Sequence, residues 1–106
     1  MEFLNKIELQ GYVGTANVTS VGDTRLVRFS LCTQYGYSDR NGRMVIDSTW
    51  HNCTAWDSKS FDITKIQKGA AVHLTGRLRT QKFTATDGNV RTLYEVLAGT
   101  VEILEQ

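Results

Sequence analysis

Val27-Arg28-Phe29-Ser30-Leu31-Cys32-Thr33 alternates apolar with polar side chains along most of its length, and that alternation decides the class of fold. Neighbouring side chains of a strand point to opposite faces, so Val27, Phe29 and Leu31 share one face while Arg28 and Ser30 point the other way. This is the pattern of a strand with one face on a core and one in water. Working outward, Lys6 to Tyr12, Ser48 to Trp56, Ala71 to Arg79 and Leu93 to Ile103 behave similarly, giving about five strands.

Two turn signals punctuate the alternation. Asn41-Gly42 and Asp87-Gly88 supply the positive-φ residues that tight hairpins demand, which predicts two projecting hairpins over residues 35–47 and 80–92. Ser58 to Lys68 breaks the period of two. Phe61 and Ile66 stand at helix-compatible spacing, Ser58 or Ser60 can cap the start, and Gly69 follows where a helix would stop, so a short helix is expected there. Five strands with a short helix between the third and fourth match the all-β, five-stranded Greek-key barrel called the OB-fold.

Composition limits the function classes. At 106 residues, residues 1–106 are expected to form a single domain; 41% are hydrophobic and 22% charged, as in a soluble globular chain. No apolar run is long enough to cross a membrane, and the start, Met1-Glu2-Phe3-Leu4-Asn5-Lys6, lacks the pattern of a secretion signal, so the cytoplasm is expected. A net charge of +1 argues against a highly basic chromatin-type binder but leaves room for a locally basic groove. Cys32 and Cys53 lack the spacing of a zinc knuckle or redox pair and read as reduced sheet or core residues. The chain has no proline, no repeat and no low-complexity tract.

Four aromatics, Tyr37, Trp50, Trp56 and Phe83, lie on strand-like segments or hairpin arms among basic or polar neighbours. Such rings suit flat ligands, and the bases of an unpaired nucleic acid are the commonest of these. The competing reading for Trp50 and Trp56 is core packing; their even separation puts them on one strand face with Asn52 and Thr54. For Tyr37 and Phe83, on hairpin arms, the competing reading is an isolated exposed ring. His51 and His73 have no third ligand at a convincing spacing, and Asp39, Asp47, Asp57, Asp62 and Asp87 are scattered among turns. No catalytic, metal or cofactor site is therefore expected.

Asn5-Lys6-Ile7 with Gly11 and Gly14, Phe29-Ser30-Leu31-Cys32-Thr33, Thr49-Trp50-His51, Lys68-Gly69, and Gly76-Arg77-Leu78-Arg79-Thr80 followed by Lys82-Phe83 are weak signals singly. In this order the chain resembles the bacterial single-stranded DNA-binding proteins from Asn5 to about Ile103. The resemblance implies base stacking at Tyr37, Trp50, Trp56 and Phe83. It also places Arg79, Lys82 and Arg91 at positions where the family often has basic residues, with Arg77 on the same strand face as Arg79. It implies a homo-oligomer as well, a tetramer favoured over a dimer, with the strand face of His51 helping to pack subunits. Two stretches depart from the family: Thr15 to Arg28 lacks the usual proline-containing charged pattern, and the chain stops at Glu102-Ile103-Leu104-Glu105-Gln106 where the family continues into a flexible linker with an acidic tip. Partner enzymes that depend on that tip are not expected.

The function expected from these readings is non-enzymatic binding of single-stranded DNA with little sequence preference, protecting it in replication, recombination and repair. The alternatives are a primosome-type replication-restart protein bridging partners on DNA and, further off, an OB-fold nuclease or an oligosaccharide-binding module.

Overall fold

The computed structural model describes residues 1–104; Glu105 and Gln106, part of the chain end read above, lie outside the described residues. All five expected strands form, and each runs further than its alternation marks: β1 Ile7–Val21, β2 Thr24–Ser38, β3 Met44–Trp56, β4 Ala71–Thr84 and β5 Val90–Leu104. They close a barrel in the order β1-β2-β3-β5-β4, with β4 returning to β1. β1 serves two neighbours, pairing with β4 over Ile7–Tyr12 and with β2 over Tyr12–Val21. The parallel seam between β3 and β5 is short, Cys53 opposite Val96 and Thr54 opposite Leu97.

Closing so small a barrel brings backbones closer than a side chain allows. A Cβ on Gly11 would lie 1.9 Å from the Cys32 carbonyl oxygen, and one on Gly76 would lie 1.9 Å from that of Leu97. These two glycines, part of the sequence signature, are corner residues of the barrel. Asn5 extends the sheet without being in a strand: its side-chain amide donates to the Leu78 carbonyl at 2.7 Å, and its Oδ1 accepts from the Leu78 N–H at 3.0 Å.

The interior is filled from alternate positions of every strand. Val13, Val27, Phe29, Leu31, Cys53, Ala55, Val72, Leu74 and Val96 are all buried, with Ile63 and Ile66 completing the cluster from the β3–β4 connection. Cys53 behaves as a small apolar residue, its thiol pushed up to about 12 by burial.

The short helix expected over Ser58 to Lys68 is present as one 3-10 turn, Ile63–Lys65. Short polar side chains hold the rest of the segment in local turns instead. Asp62, rather than Ser58 or Ser60, caps the turn, its Oδ1 accepting from the Thr64 N–H at 2.9 Å and from the Thr64 hydroxyl at 2.6 Å. The Ser58 and Ser60 hydroxyls bond each other at 3.0 Å, and a bridge links Ser58 to Phe61. The turn places Ile63 and Ile66, three residues apart, in the core. Gly69 does end the segment, with φ 88°.

Both projecting hairpins are present, but with a different turn from two-residue Asn-Gly and Asp-Gly loops. Within these two turns only Gly42 (φ 76°) and Gly88 (φ 83°) take positive φ. Asp39 N–H bonds the Arg43 carbonyl and Gly42 N–H the Asp39 carbonyl; Ala85, Asn89 and Gly88 repeat the arrangement. Each is a three-residue loop, a turn closed by a left-handed glycine. Asp39 Oδ1 reinforces the first by accepting from the Asn41 and Arg43 N–H groups, both at 2.9 Å. A third hairpin joins β1 to β2. Within the departing stretch Thr15 to Arg28, the strands continue to Val21 and from Thr24, turning at Gly22 (φ 59°) and Asp23.

Candidate nucleic-acid interface

Strand register sorts the site residues by face. β2 and β3 pair without interruption from Leu26 opposite Trp56 to Ser38 opposite Met44. Trp50, Asn52, Thr54 and Trp56 therefore share the outer face of β3 with Arg28 and Ser30 of β2, while Phe29, Leu31 and Cys53 point inward. On β4 the buried Val72 and Leu74 fix the inward set, and past the irregularity at Thr75–Gly76 the pairing of Leu78 with the buried Val96 keeps it. Arg77, Arg79, Gln81 and Phe83 are then outward, together with Arg91, Leu93 and Glu95 of β5.

Six of the eight residues chosen from sequence thus project on the same side of their ladders: Trp50, Trp56, Phe83, Arg77, Arg79 and Arg91. The two others do not. Lys82 pairs with Thr92 on the opposite face of the second hairpin. Tyr37 pairs with Val45, on the ladder face that nearer the barrel carries Leu31 and Phe29. The four aromatics are exposed by 45% (Tyr37), 60% (Trp50), 47% (Trp56) and 42% (Phe83), so none is a core residue of this chain.

Trp50 owes its position to a glycine. β1 and β2 slip register between Val13 and Thr15, and the bulged residue is Gly14. A Cβ there would lie 2.5 Å from Trp50 Cζ3 and 2.9 Å from Ser30 Oγ, so the indole lies across a bare backbone. The Ser30 hydroxyl accepts from the Thr15 N–H at 2.9 Å and bonds the Thr15 hydroxyl at 3.0 Å, closing the bulge beside the ring.

Between the two Trp-bearing and Arg-bearing strands runs a groove of about 290 Å³, lined by Arg28, Ser30, Asn52, Thr54 and Glu95 among others. Glu95 is its electrostatic centre. Its carboxylate accepts from Thr54 Oγ1 at 2.9 Å and from Arg79 Nε at 2.8 Å, and pairs with the Arg79 guanidinium. Arg91 is held by Asp87 at 3.1 Å, and the Asn89 N–H with Arg91 draws the Asp87 carboxyl below the usual range. Arg77 and Arg28 belong to none of the ion pairs among the described residues.

Sequence reading missed Arg28, Thr54 and Glu95. Arg28 was legible as the polar phase of the alternating β2 segment, but its neighbours across β3 and β5 are set by register. His51 bonds the Thr33 hydroxyl through Nε2 at 2.8 Å, and burial lowers its pKa. His73 pairs with Glu8 at 2.8 Å. Among the described residues no three His, Cys, Asp or Glu side chains converge to hold a metal, and no helix is long and apolar enough to cross a membrane.

Known proteins share this arrangement of strands. The family described as Single-strand binding protein family matches residues 4–104. The single-stranded DNA-binding protein of Neisseria meningitidis serogroup B is 34% identical over 105 residues, covering 95% of this chain and 60% of that protein. That of Bacteroides thetaiotaomicron is 30% identical over 106 residues, covering 95% and 66%. This chain therefore spans about 60% of the length of the curated relatives it matches first. In fold it is similar to the Plasmodium falciparum SSB solved in complex with ssDNA, with a TM-score of 0.86 at 24% identity over 99% of this chain and 98% of that one. It is also similar to a deletion mutant of the single-stranded DNA binding protein from Thermus aquaticus, with a TM-score of 0.79 at 20% identity over 96% and 51%.

Proposed function

The chain belongs to the single-strand binding protein family, and from that membership and its outer face we propose that it binds single-stranded DNA with little sequence preference. It keeps the strand unpaired and protected during replication, recombination and repair. Bases stack on Trp50, Trp56 and Phe83, with Tyr37 added from the other side of the first hairpin. Arg77 and Arg28 meet phosphates directly; Arg79 and Arg91 do so in exchange for their carboxylates, and Lys82 from the back of the second hairpin. Duplex is rejected because its bases are already stacked and paired.

The observation that carries this reading is the half-exposure of Trp50, Trp56 and Phe83 on the barrel side that also presents Arg77 and Arg79. Three rings grouped with arginines on one face suit base stacking, which contributes about 1 to 3 kcal/mol per ring. The protein makes and breaks no bond, needs no cofactor, acts in the cytoplasm and works as a homo-oligomer, a tetramer in preference to a dimer.

Titration with oligothymidylate tests the reading. Stacking on indole quenches its emission, so tryptophan fluorescence should fall saturably, and Trp50→Ala and Trp56→Ala should each weaken binding by about 1 to 3 kcal/mol with the melting temperature kept. Saturable binding with unchanged emission, or variants that lose stability rather than affinity, would return both rings to a packing role.

A further inference from the structure

One feature of the first hairpin is not used by the face just described. Tyr35 and Tyr37 stand two apart on one face of β2 with Gly36 between them, and their ring centroids are 6.2 Å apart with planes inclined by 30°. Tyr35 is 71% exposed, more than any of the four stacking candidates. Stacked bases lie about 3.4 Å apart, so a base between two rings needs about 6.8 Å, and the tilted pair needs to open by only about 0.6 Å to admit one. Neither ring belongs to the hydrophobic core cluster.

We propose that Tyr35 and Tyr37 form a two-ring subsite that takes one unpaired base, on the ladder face opposite Trp50 and Trp56. The inference rests on the single-stranded DNA reading and adds Tyr35 to it. The cross-strand neighbours fit a base and reject a phosphate. Val45 lies opposite Tyr37 and offers apolar contact, and Asp47 lies opposite Tyr35, where its carboxylate repels phosphate but accepts a hydrogen bond from a base edge. The phosphates flanking that base have cations within the same hairpin: Arg40 and Arg43 at its tip are exposed and belong to none of the ion pairs among the described residues. Gly36, between them, presents its side-chain position to the other face of the strand. On the other face Met44 Sδ lies 3.6 Å from where its Cβ would be, so the methionine covers the back of the subsite.

Two measurements on the whole chain test this. In the first, tetranitromethane nitrates exposed tyrosines and mass spectrometry maps them. Tyr35 should be modified in the free protein and protected by saturating oligothymidylate. In the second, Tyr35→Ala should weaken oligothymidylate binding at least about fivefold and Tyr35→Phe should not, since the ring and not the hydroxyl is used. The double variant Tyr35→Ala/Tyr37→Ala should be little weaker than either single one, because a base held between two rings loses the sandwich when either goes. Tyr35 is exposed, so the alanine variant keeps the fold, which a thermal melt checks. If Tyr35→Ala binds like the parent while Trp56→Ala is weak, the subsite is overturned and the DNA reading stands. Failure of the parent to bind oligothymidylate overturns both. A Tyr35 that resists nitration before DNA is added is covered by a second copy of the chain, and the subsite falls with it.

Discussion

Replacing Glu95 by Gln removes the one acid at the centre of the groove while keeping its shape. Glu95 now holds Arg79 through Nε and the guanidinium and accepts from the buried Thr54 hydroxyl. In Glu95→Gln the side-chain oxygen still accepts from Thr54, but Arg79 loses its counter-charge and is free to turn to a phosphate. One more phosphate contact steepens the slope of log affinity against log salt by about 0.7 for a single strand. At 0.1 M monovalent salt that corresponds to about fivefold tighter binding, close to 1 kcal/mol. The melting transition reads the cost to the fold, since the Glu95 side chain is largely buried while Arg79 is partly in water and can be hydrated.

Equilibrium titrations of the parent and Glu95→Gln at several salt concentrations read both numbers. Arg79→Ala supplies the opposite arm: it strips the cation and leaves an uncompensated carboxylate facing the DNA, so it should weaken binding by more than Arg77→Ala, whose partner is water. If Glu95→Gln binds no more tightly and its slope is unchanged, Arg79 is a structural clasp between β4 and β5 and has no part in phosphate contact. A looser complex with an intact melting transition would go further and make the carboxylate itself a ligand of the bases.

Gly14→Ala should displace the Trp50 indole, shift the emission of the free protein and cost affinity comparable to Trp50→Ala; emission and affinity like the parent's would mean the ring does not rest on the bulge. Acid should destabilise the fold in a defined window. Arg25 beside Asp57, Thr64 beside Asp62, and Asn89 with Arg91 beside Asp87 hold these carboxyls below their usual pKa. Their stabilising contribution is complete above the unfolded value of about 4 and is lost as pH falls through the lower folded values. The melting temperature should therefore drop below about pH 4, and less steeply in Asp57→Asn; a flat profile would refute the assignment. His51 shifts the same way at higher pH, since burial lowers its pKa and so disfavours the charged ring in the folded state. Stability should begin to fall below about pH 6.5, and a His51→Gln variant that keeps the slope would place its cause elsewhere.

Much of the fold was legible because a half-buried strand repeats every two residues, and that signal survives in a single sequence. The β2 segment carries it clearly, from Val27 to Leu31 inward and Arg28 to Ser30 outward. The connection after β3 was misjudged in extent because Phe61 and Ile66 fit a helical period as well as a 3-10 turn. The choice was made by Asp62 and Thr64 bonding each other, which spacing does not reveal. The continuation of β1 to Val21 was hidden because Thr15 to Ser20 alternates weakly. The sequence shows the type of each candidate site residue but not its face. Alternation assigns Trp50 and Trp56 correctly to one side, since both lie on β3, but Tyr37 lies on β2, and only the β2–β3 register relates the two. The same holds for Glu95, whose importance comes from meeting Arg79 and Thr54 across two different neighbours.

On the proposed reading, that register also decides which force dominates binding. Of the four cations read from sequence, Arg79 is committed to Glu95, Arg91 to Asp87, and Lys82 faces the other way; Arg77 remains, joined by Arg28. The two free cations of the outer face contribute about 1 kcal/mol each at 0.1 M salt, whereas its three rings, Trp50, Trp56 and Phe83, contribute about 1 to 3 kcal/mol each. Stacking therefore outweighs charge on this surface, in keeping with a chain whose net charge is only +1. Rings take any base because every base has a π-face, so a surface dominated by them is tolerant of sequence by construction. It also keeps its hold as salt rises, since counterion release supplies the smaller part. The carboxylates at Glu95 and Asp87 then act as a brake on charge-driven binding: polyanions that offer phosphates without accessible bases, duplex DNA foremost, find Arg79 and Arg91 occupied and the rings of no use.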